Sequence, residues 1–436
     1  MIVNGTIIKS SNLCVDYYHN PLIPPHMIAI TFSPSGNRTL TGEGFGGKFL
    51  LNNKIDIIAF KCDNDDWFQS VTIEHLEAIN RIISLKGYRS VVAYGSSMGG
   101  YAAIQFSKHI GCNAVLALSP QYSIADKFDC RWEKISNKIL WNHKISPDSI
   151  SKECKYVIAY DPHDLDHAHA QLFKKLIPEK NYIYLELPFA GHPVSTFLLE
   201  SNQLKELALT VFLGSELINT DFLIHRKTSK SYLRNLSIHL YKSKKFKRAL
   251  FVINKAIEMD RCTPSLFIHK GTILEAMDKL PESVESLIES IHLDANPLII
   301  LRASKLLTKQ GKYQKALQLI DKGLSLYSDM AVLHRQKSEI LLGLSKLELA
   351  LYSAKLACFL DNKNPFYRVH ISHLYIKLER YDEALIEINE GITVSPNIGA
   401  LYKKKIEILR KLGDCAGAEI LVKTPECLAA LEIQQS

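Results

Sequence analysis

Small residues recur at a fixed interval through the second half of the chain: Ala249, Ser283, Ala316, Ala350, Ala384 and Ala418 stand 34, 33, 34, 34 and 34 positions apart. Their surroundings repeat as well, as Lys-Phe-Lys-Arg-Ala-Leu (245–250), Lys-Tyr-Gln-Lys-Ala-Leu (312–317) and Arg-Tyr-Asp-Glu-Ala-Leu (380–385). Seven positions on from these alanines comes another small residue, Ala256, Gly323 or Gly391. A helix–turn–helix unit of this length cannot bury its apolar face alone, so a chain with this period folds by stacking one unit on the next. Two helices that cross closely need a small residue at the crossing, and the aromatic three positions earlier packs at the turn.

These spacings resemble the tetratricopeptide repeat. The family's glycine at the eighth position stands as Gly271, and its closing proline as Pro396. The resemblance implies an all-α repeat solenoid over 231–436, about six helical hairpins with an atypical capping helix from residue 418 on. It also implies a concave surface that binds a protein or peptide partner; the competing reading is a stabilising appendage. No residue of this half suggests chemistry.

Up to about residue 215 the period is different. Short β-rich apolar runs at 27–31, 55–60, 90–94, 114–119, 156–160 and 182–187 alternate with helix-like segments at 73–85, 100–109 and 167–176. That rhythm predicts an α/β domain with a mostly parallel sheet flanked by helices. The expected organisation is therefore an α/β domain at 1–215, a linker at 216–230 and the repeats at 231–436.

Composition narrows the function classes. Of 436 residues, 47% are hydrophobic and 22% charged, which excludes a disordered chain. No apolar run approaches the roughly 18 residues of a bilayer crossing, and the first residues lack the pattern of a secretory signal. A cytoplasmic protein is expected. Nine scattered cysteines without a C-x-x-C pair read as reduced thiols and count against structural zinc. The net charge of +8 lies entirely C-terminal, much of it in Arg226, Lys227, Lys230, Arg234, Lys242, Lys244, Lys245, Lys247 and Arg248. Such a run reads as a solvated helix face or as attraction to an acidic partner, a polyanion or a membrane surface; nucleic acid is not expected.

Directly after the apolar run 90–94 comes Gly95-Ser96-Ser97-Met98-Gly99-Gly100, and then a helix-like segment. Gly-x-Ser-x-Gly between strand and helix is a nucleophile elbow: the serine sits on a sharp turn above the sheet, and side chains at the glycines would clash. A serine hydroxyl needs a base, and the base needs a third group to orient it. His192, in Phe189-Ala-Gly-His-Pro193 just after the last expected strand, is the best base. The acid should follow the penultimate strand, where Asp161, Asp164 and Asp166 compete. Asp161 and Asp164 are favoured as alternatives, and Asp166 is the outsider.

At these residues the sequence resembles an α/β-hydrolase, over about residues 1–215. The resemblance implies an acyl-enzyme mechanism on an ester or acyl-conjugate substrate, and no cofactor and no metal. It also implies an oxyanion hole made by the Met98 N–H and by a second N–H from Phe32 or Ser33, since Pro34 has none. The pairing with Leu118-Ser-Pro-Gln121 is similar to small bacterial esterase-like members of the fold. The sequence leaves two other readings open: an acyltransferase or thioesterase using the same triad, and an inert domain carrying a repeat scaffold. Gly42-Glu-Gly-Phe-Gly-Gly47 lacks the Lys-Ser/Thr of a P-loop and reads as a flexible turn. Asp63, Asp65, Asp66 and Trp67 read as a solvated acidic loop, and 120–150, with Tyr122, Trp132, Trp141 and His143, as a small cap over the pocket.

Overall fold

The computed structural model describes residues 2–125, 128–215 and 222–432. The chain divides into two compact units, Met1–Met259 and Asp260–Ser436. The first unit therefore extends past the expected linker and takes in the hairpin Lys230–Lys242 and Phe246–Met259. Of that linker, residues 216–221 lie outside the described residues. The hairpin belongs to the first unit because its first helix is tied to the sheet domain: Glu200 accepts from Ser229 Oγ at 2.6 Å and from Ser231 N at 2.9 Å, and Asn235 Nδ2 donates to Phe189 O at 3.3 Å.

The first unit is built on eight strands: β1 Val3–Lys9, β2 Leu13–His19, β3 Met27–Phe32, β4 Asp56–Cys62, β5 Ser90–Ser96, β6 Ala114–Leu118, β7 Lys155–Tyr160 and β8 Tyr182–Glu186. They form one sheet in the order β1-β2-β4-β3-β5-β6-β7-β8. The ladders from β4 through β8 are parallel, and β2 runs antiparallel to both its neighbours, so the sheet is mixed. Strands β3, β5 and β6 are buried almost throughout, as expected of strands covered on both faces. Helices Ile73–Lys86, Met98–Gln105 and Asp166–Leu176 supply part of that cover.

The sequence pattern did not mark β1 and β2. β1 is an exposed edge strand containing Asn4 and Gly5, and β2 carries Asp16 in mid-strand, where a charge argues against burial. Asp16 is tolerated because the buried ammonium of Lys61 on β4 pairs with it across the ladder. The glycine-rich turn is pinned rather than flexible. Lys61 Nζ and the Tyr18 hydroxyl both donate to Gly42 O, at 2.9 and 2.8 Å. A Cβ on Gly44 would sit 2.7 Å from that of Ala59.

The second unit is all helical. Its pairs are Pro264–Ala276 with Leu280–Leu293, Pro297–Lys309 with Tyr313–Leu326, Ala331–Gly343 with Leu347–Leu360, Pro365–Lys377 with Tyr381–Val394, and Gly399–Lys411 with Cys415–Val422, followed by Pro425–Glu432. Ser283, Ala316, Ala350, Ala384 and Ala418 are each the fourth residue of a second helix and fully buried; Ala249 holds the same place in the hairpin of the first unit. The position of Gly271 is filled elsewhere by Ser304, Ser338 and Ser372, all buried. Their hydroxyls donate to Leu301 O, Ala350 O and Val369 O at 2.7–2.9 Å. A hydroxyl so satisfied can be buried at little cost, which is why serine substitutes for glycine there.

Candidate active site

Ser97 stands between β5 and helix Met98–Gln105 with φ 54° and ψ −118°, a left-handed conformation for a residue with a side chain. Such a conformation costs about 1–3 kcal/mol and persists where the surrounding packing dictates it. The packing here is backbone against backbone. A Cβ on Gly95 would lie 2.1 Å from Gly99 O, and one on Gly99 would lie 2.3 Å from Phe32 O. The two glycines thus let the helix start directly over β3 and β5 and lift the Ser97 side chain out of the turn.

His192 follows β8 on a loop that Asp161 holds. One carboxylate oxygen of Asp161 accepts from His163 N and Phe189 N at 2.9 and 3.1 Å, and the other from Gly191 N at 2.8 Å. Burial raises the Asp161 pKa, and the three backbone donors offset part of that rise. The loop brings His192 Nε2 to 3.1 Å from Ser97 Oγ. Gly191 has φ 75°, and a Cβ there would meet the Asn235 amide at 2.2 Å.

The carboxylate on the other side of the imidazole is Asp166, 2.8 and 2.9 Å from His192 Nδ1. Neither Asp161 nor Asp164 reaches it. Asp161, immediately after β7, is turned to the backbone of the histidine loop, and Asp164 is paired with Arg131 Nη1 at 2.6 Å. Asp166 opens helix Asp166–Leu176, and that helix start carries its side chain, fully buried, beneath the histidine. Burial acts to raise the Asp166 pKa, but the His192 hydrogen bond and the charges of His192 and Arg131 outweigh it and leave it below the usual carboxylate value. An ionised Asp166 accepts from Nδ1–H, which leaves Nε2 as the acceptor facing Ser97.

A second buried network supports the acid. Arg131 Nη2 lies 2.7 Å from Asp129 and 3.1 Å from Asp166. His169 Nε2 in turn lies 2.9 Å from Asp129. The segment 120–150 contributes this arginine together with Trp132, whose ring packs edge-on to His192 at 6.0 Å. Trp141 packs on Tyr101, and His143 Nε2 bonds Val71 O. The acidic loop is structural: Asp65 accepts from Gly36 N and Arg38, Asp66 accepts from Phe68 N, and Trp67 is buried.

Met98 is the first residue of its helix, where the N–H has no intrahelical acceptor. The candidates for a second donor are placed differently from expectation. Ser33 commits both its N–H and its hydroxyl to Phe60 O, at 3.2 and 3.1 Å. Phe32 is still strand, paired on both sides with Phe60 and Gly95. The side chain that does meet the Ser97 hydroxyl is Gln121, fully buried, with Nε2 3.1 Å from both Ser97 Oγ and His192 Nε2. Gln121 stands three residues after β6, the strand next to the elbow, and that placement is its one signal in the sequence.

A pocket of about 680 Å³ opens beside His192, lined by Trp132, Arg131, Phe189 and residues of helix Lys230–Lys242. That volume suits a small-molecule ligand. Among the described residues there is no cluster of three or more metal-ligating side chains, and no helix is long and apolar enough to cross a membrane.

A comparison with curated proteins gives no match. Among solved structures, the chain is similar to residues 41 to the end of MamA from Desulfovibrio magneticus RS-1, at 16% identity and TM-score 0.34, over 38% of this chain and 94% of that one. It is similar to YrrB, described as a TPR protein with an unusual peptide-binding site, at 17% identity and TM-score 0.36, over 42% and 95%. It is also similar to PilF of Pseudomonas aeruginosa, at 15% identity and TM-score 0.36, over 47% and 96%. Residues 367–398 match the family model of the tetratricopeptide repeat. With the hairpins of the same period around them, they make the C-terminal region an array of tetratricopeptide repeats.

Proposed function

We propose that the sheet-bearing unit is a serine hydrolase of the α/β-hydrolase type that cleaves an ester through Ser97, His192 and Asp166. The observation that carries this reading is the continuous chain from a strained Ser97 to His192 at 3.1 Å and on to a buried Asp166 at 2.8 Å. The strand order, with the elbow after β5, the acid after β7 and the histidine after β8, supports it.

The chemistry follows from the geometry. Ser97 Oγ attacks the acyl carbonyl as His192 Nε2 takes its proton, and Asp166 stabilises the imidazolium that forms. The Met98 N–H and the Gln121 amide donate to the developing oxyanion. Collapse of the tetrahedral intermediate sends the His192 proton to the leaving alkoxide and leaves an acyl group on Ser97. Water, deprotonated by His192, then releases the acid. An alcohol, amine or thiol in place of that water would make the same site an acyltransferase, and a thioester would be cleaved by the same steps. The repeats bind a protein or peptide partner that positions the enzyme or its substrate. The nine cysteines, all free thiols, accord with a cytoplasmic setting.

A second reading fits the comparisons, which bear on the repeats alone: a repeat scaffold whose sheet domain is inert. The test that separates the two treats the full chain and its Ser97→Ala variant with a fluorophosphonate and locates the adduct by peptide mass spectrometry. Labelling at Ser97 that is lost in the variant and in His192→Ala is the expected result. A folded chain that takes no label is the scaffold.

A further inference from the structure

The basic run around the first hairpin is where the molecule says more about its substrate. Helix Lys230–Lys242 presents Ser231, Arg234, Asn235, Ile238, His239 and Lys242 to the pocket beside His192. Their spacing, i, i+3, i+4, i+7, i+8 and i+11, is one face of a helix. Of the nine cations in the run, only Arg234 and Lys242 line this pocket.

The lining carries Arg131, Arg234 and Lys242 against Asp161 and Asp164. Both acids have partners within the protein, Asp161 in three backbone N–H groups and Asp164 in Arg131. Arg131 itself is shared among Asp129, Asp164 and Asp166. Arg234 and Lys242 are exposed at the rim and make no ion pair with any described residue. The same lining carries an aromatic cluster, with His163 stacked on Phe189 at 4.4 Å and His239 packed against both. Two cations without an ion-pair partner on one concave lining raise the local concentration of anionic ligands.

We infer that the site acts on esters that carry an anionic group, a carboxylate or phosphate, which Arg234 and Lys242 hold at the rim while the acyl carbonyl meets Ser97. This rests on the hydrolase reading for the identity of the reacting bond, but the anion site stands on the pocket itself. The first hairpin of the repeat series thereby serves the substrate of the sheet domain rather than a protein partner.

Two arms test it on the full chain. In the first, equilibrium binding is measured by calorimetry on the Ser97→Ala background, which cannot turn over ester. The ligands are a hemisuccinate ester of a neutral alcohol, an acetyl ester of a hydroxy acid, and a neutral acetate ester. At low salt, R234Q/K242Q is expected to weaken at least one anionic ester about tenfold and leave the neutral ester unchanged; which of the two responds tells whether the anion is on the acyl or the alcohol side. Equal binding of anionic and neutral esters, or a preference that survives R234Q/K242Q, overturns the inference. In the second arm the native serine is labelled with a neutral and a carboxylate-bearing fluorophosphonate. Faster labelling by the carboxylate probe, lost in R234Q/K242Q, supports the inference. Equal labelling by both overturns it and leaves the hydrolase. No labelling by either removes the hydrolase, and the binding arm then decides the anion site alone.

Discussion

Each unit of the molecule contains a serine–histidine pair. In the sheet-bearing unit Ser97 Oγ lies 3.1 Å from His192 Nε2, and in the repeats Ser338 Oγ lies 2.8 Å from His370 Nε2. By distance alone the second is the better contact. Ser338, however, is in mid-helix and gives its proton to Ala350 O at 2.7 Å. Burial, with the positive charges of Arg335 and His373 nearby, lowers the His370 pKa to about 3, and among the described residues no carboxylate is hydrogen-bonded to the ring. His192 has Asp166 on its far nitrogen and a pocket at its face, and its serine is held in strained backbone. A serine beside a histidine is thus a packing contact until strain, a buried acid and access are added to it.

The largest expected effects separate Asp166 from Asp164. Asp166→Asn, which holds His192 in the wrong tautomer, should slow the reaction of Ser97 with a fluorophosphonate by about 10³–10⁴. Asp164→Asn, which alters only a half-exposed partner of Arg131, should slow it less than about tenfold by the same measurement. If the two variants behave alike, the triad assigned here is wrong. His370→Gln should leave labelling unchanged, and an adduct on Ser338 would break the contrast between the two pairs.

Gln121→Ala should reduce ester turnover by about 10–100-fold with KM little changed, because a donor to the transition state is removed rather than a contact to the ground state. A rise in KM at constant kcat would make Gln121 a substrate contact instead.

The repeat pair makes a prediction of its own, about stability. Between about pH 6.5, where a histidine of the unfolded chain titrates, and about pH 3, the unfolded state takes up a proton that folded His370 refuses. Unfolding thus gains protons as pH falls, and the repeats should lose up to about 3 kcal/mol on going from pH 7 to pH 4. Denaturant titrations at several pH values would read this, and the slope should flatten in His370→Gln.

The smallest effect concerns backbone. Left-handed non-glycine residues fall at irregular intervals in the sheet domain, at Lys54, Trp67, Phe68, Ser97, Ser119, Phe189 and Asn202, whereas in the helical hairpins they recur two residues before the second helix, at Lys244, Asp278, Ser345 and Glu379, with Gly311 and Gly413 in the same place. The periodic set is turn geometry that glycine serves better. Glu379→Gly should therefore raise stability by about 0.5–1 kcal/mol in a thermal melt.

How much of this was legible follows from where the information lies. The repeats announce themselves because a stacked hairpin must place the same small residue at the same crossing each time, and Ala316, Ala350 and Ala384 are local consequences of that rule. The elbow is local too, since Gly95 and Gly99 are required by backbone atoms a few residues away or on the next strand. The strands β1 and β2 were missed because Asp16 is acceptable only opposite Lys61, 45 positions on.

The sequence by itself determined the period of the helical half, the strand–turn–serine–turn–helix segment around Ser97, and the place of His192 in the loop after the last strand. Tertiary structure alone decided which aspartate meets that histidine, because Asp161, Asp164 and Asp166 all lie within five residues of one another. It also decided that Gln121 meets Ser97, and that of the nine cations in the basic run Arg234 and Lys242 line the pocket beside His192. Each of these depends on groups from distant segments converging in direction as well as in distance, and direction is fixed only when the sheet, the helix starts and the covering hairpin are packed together.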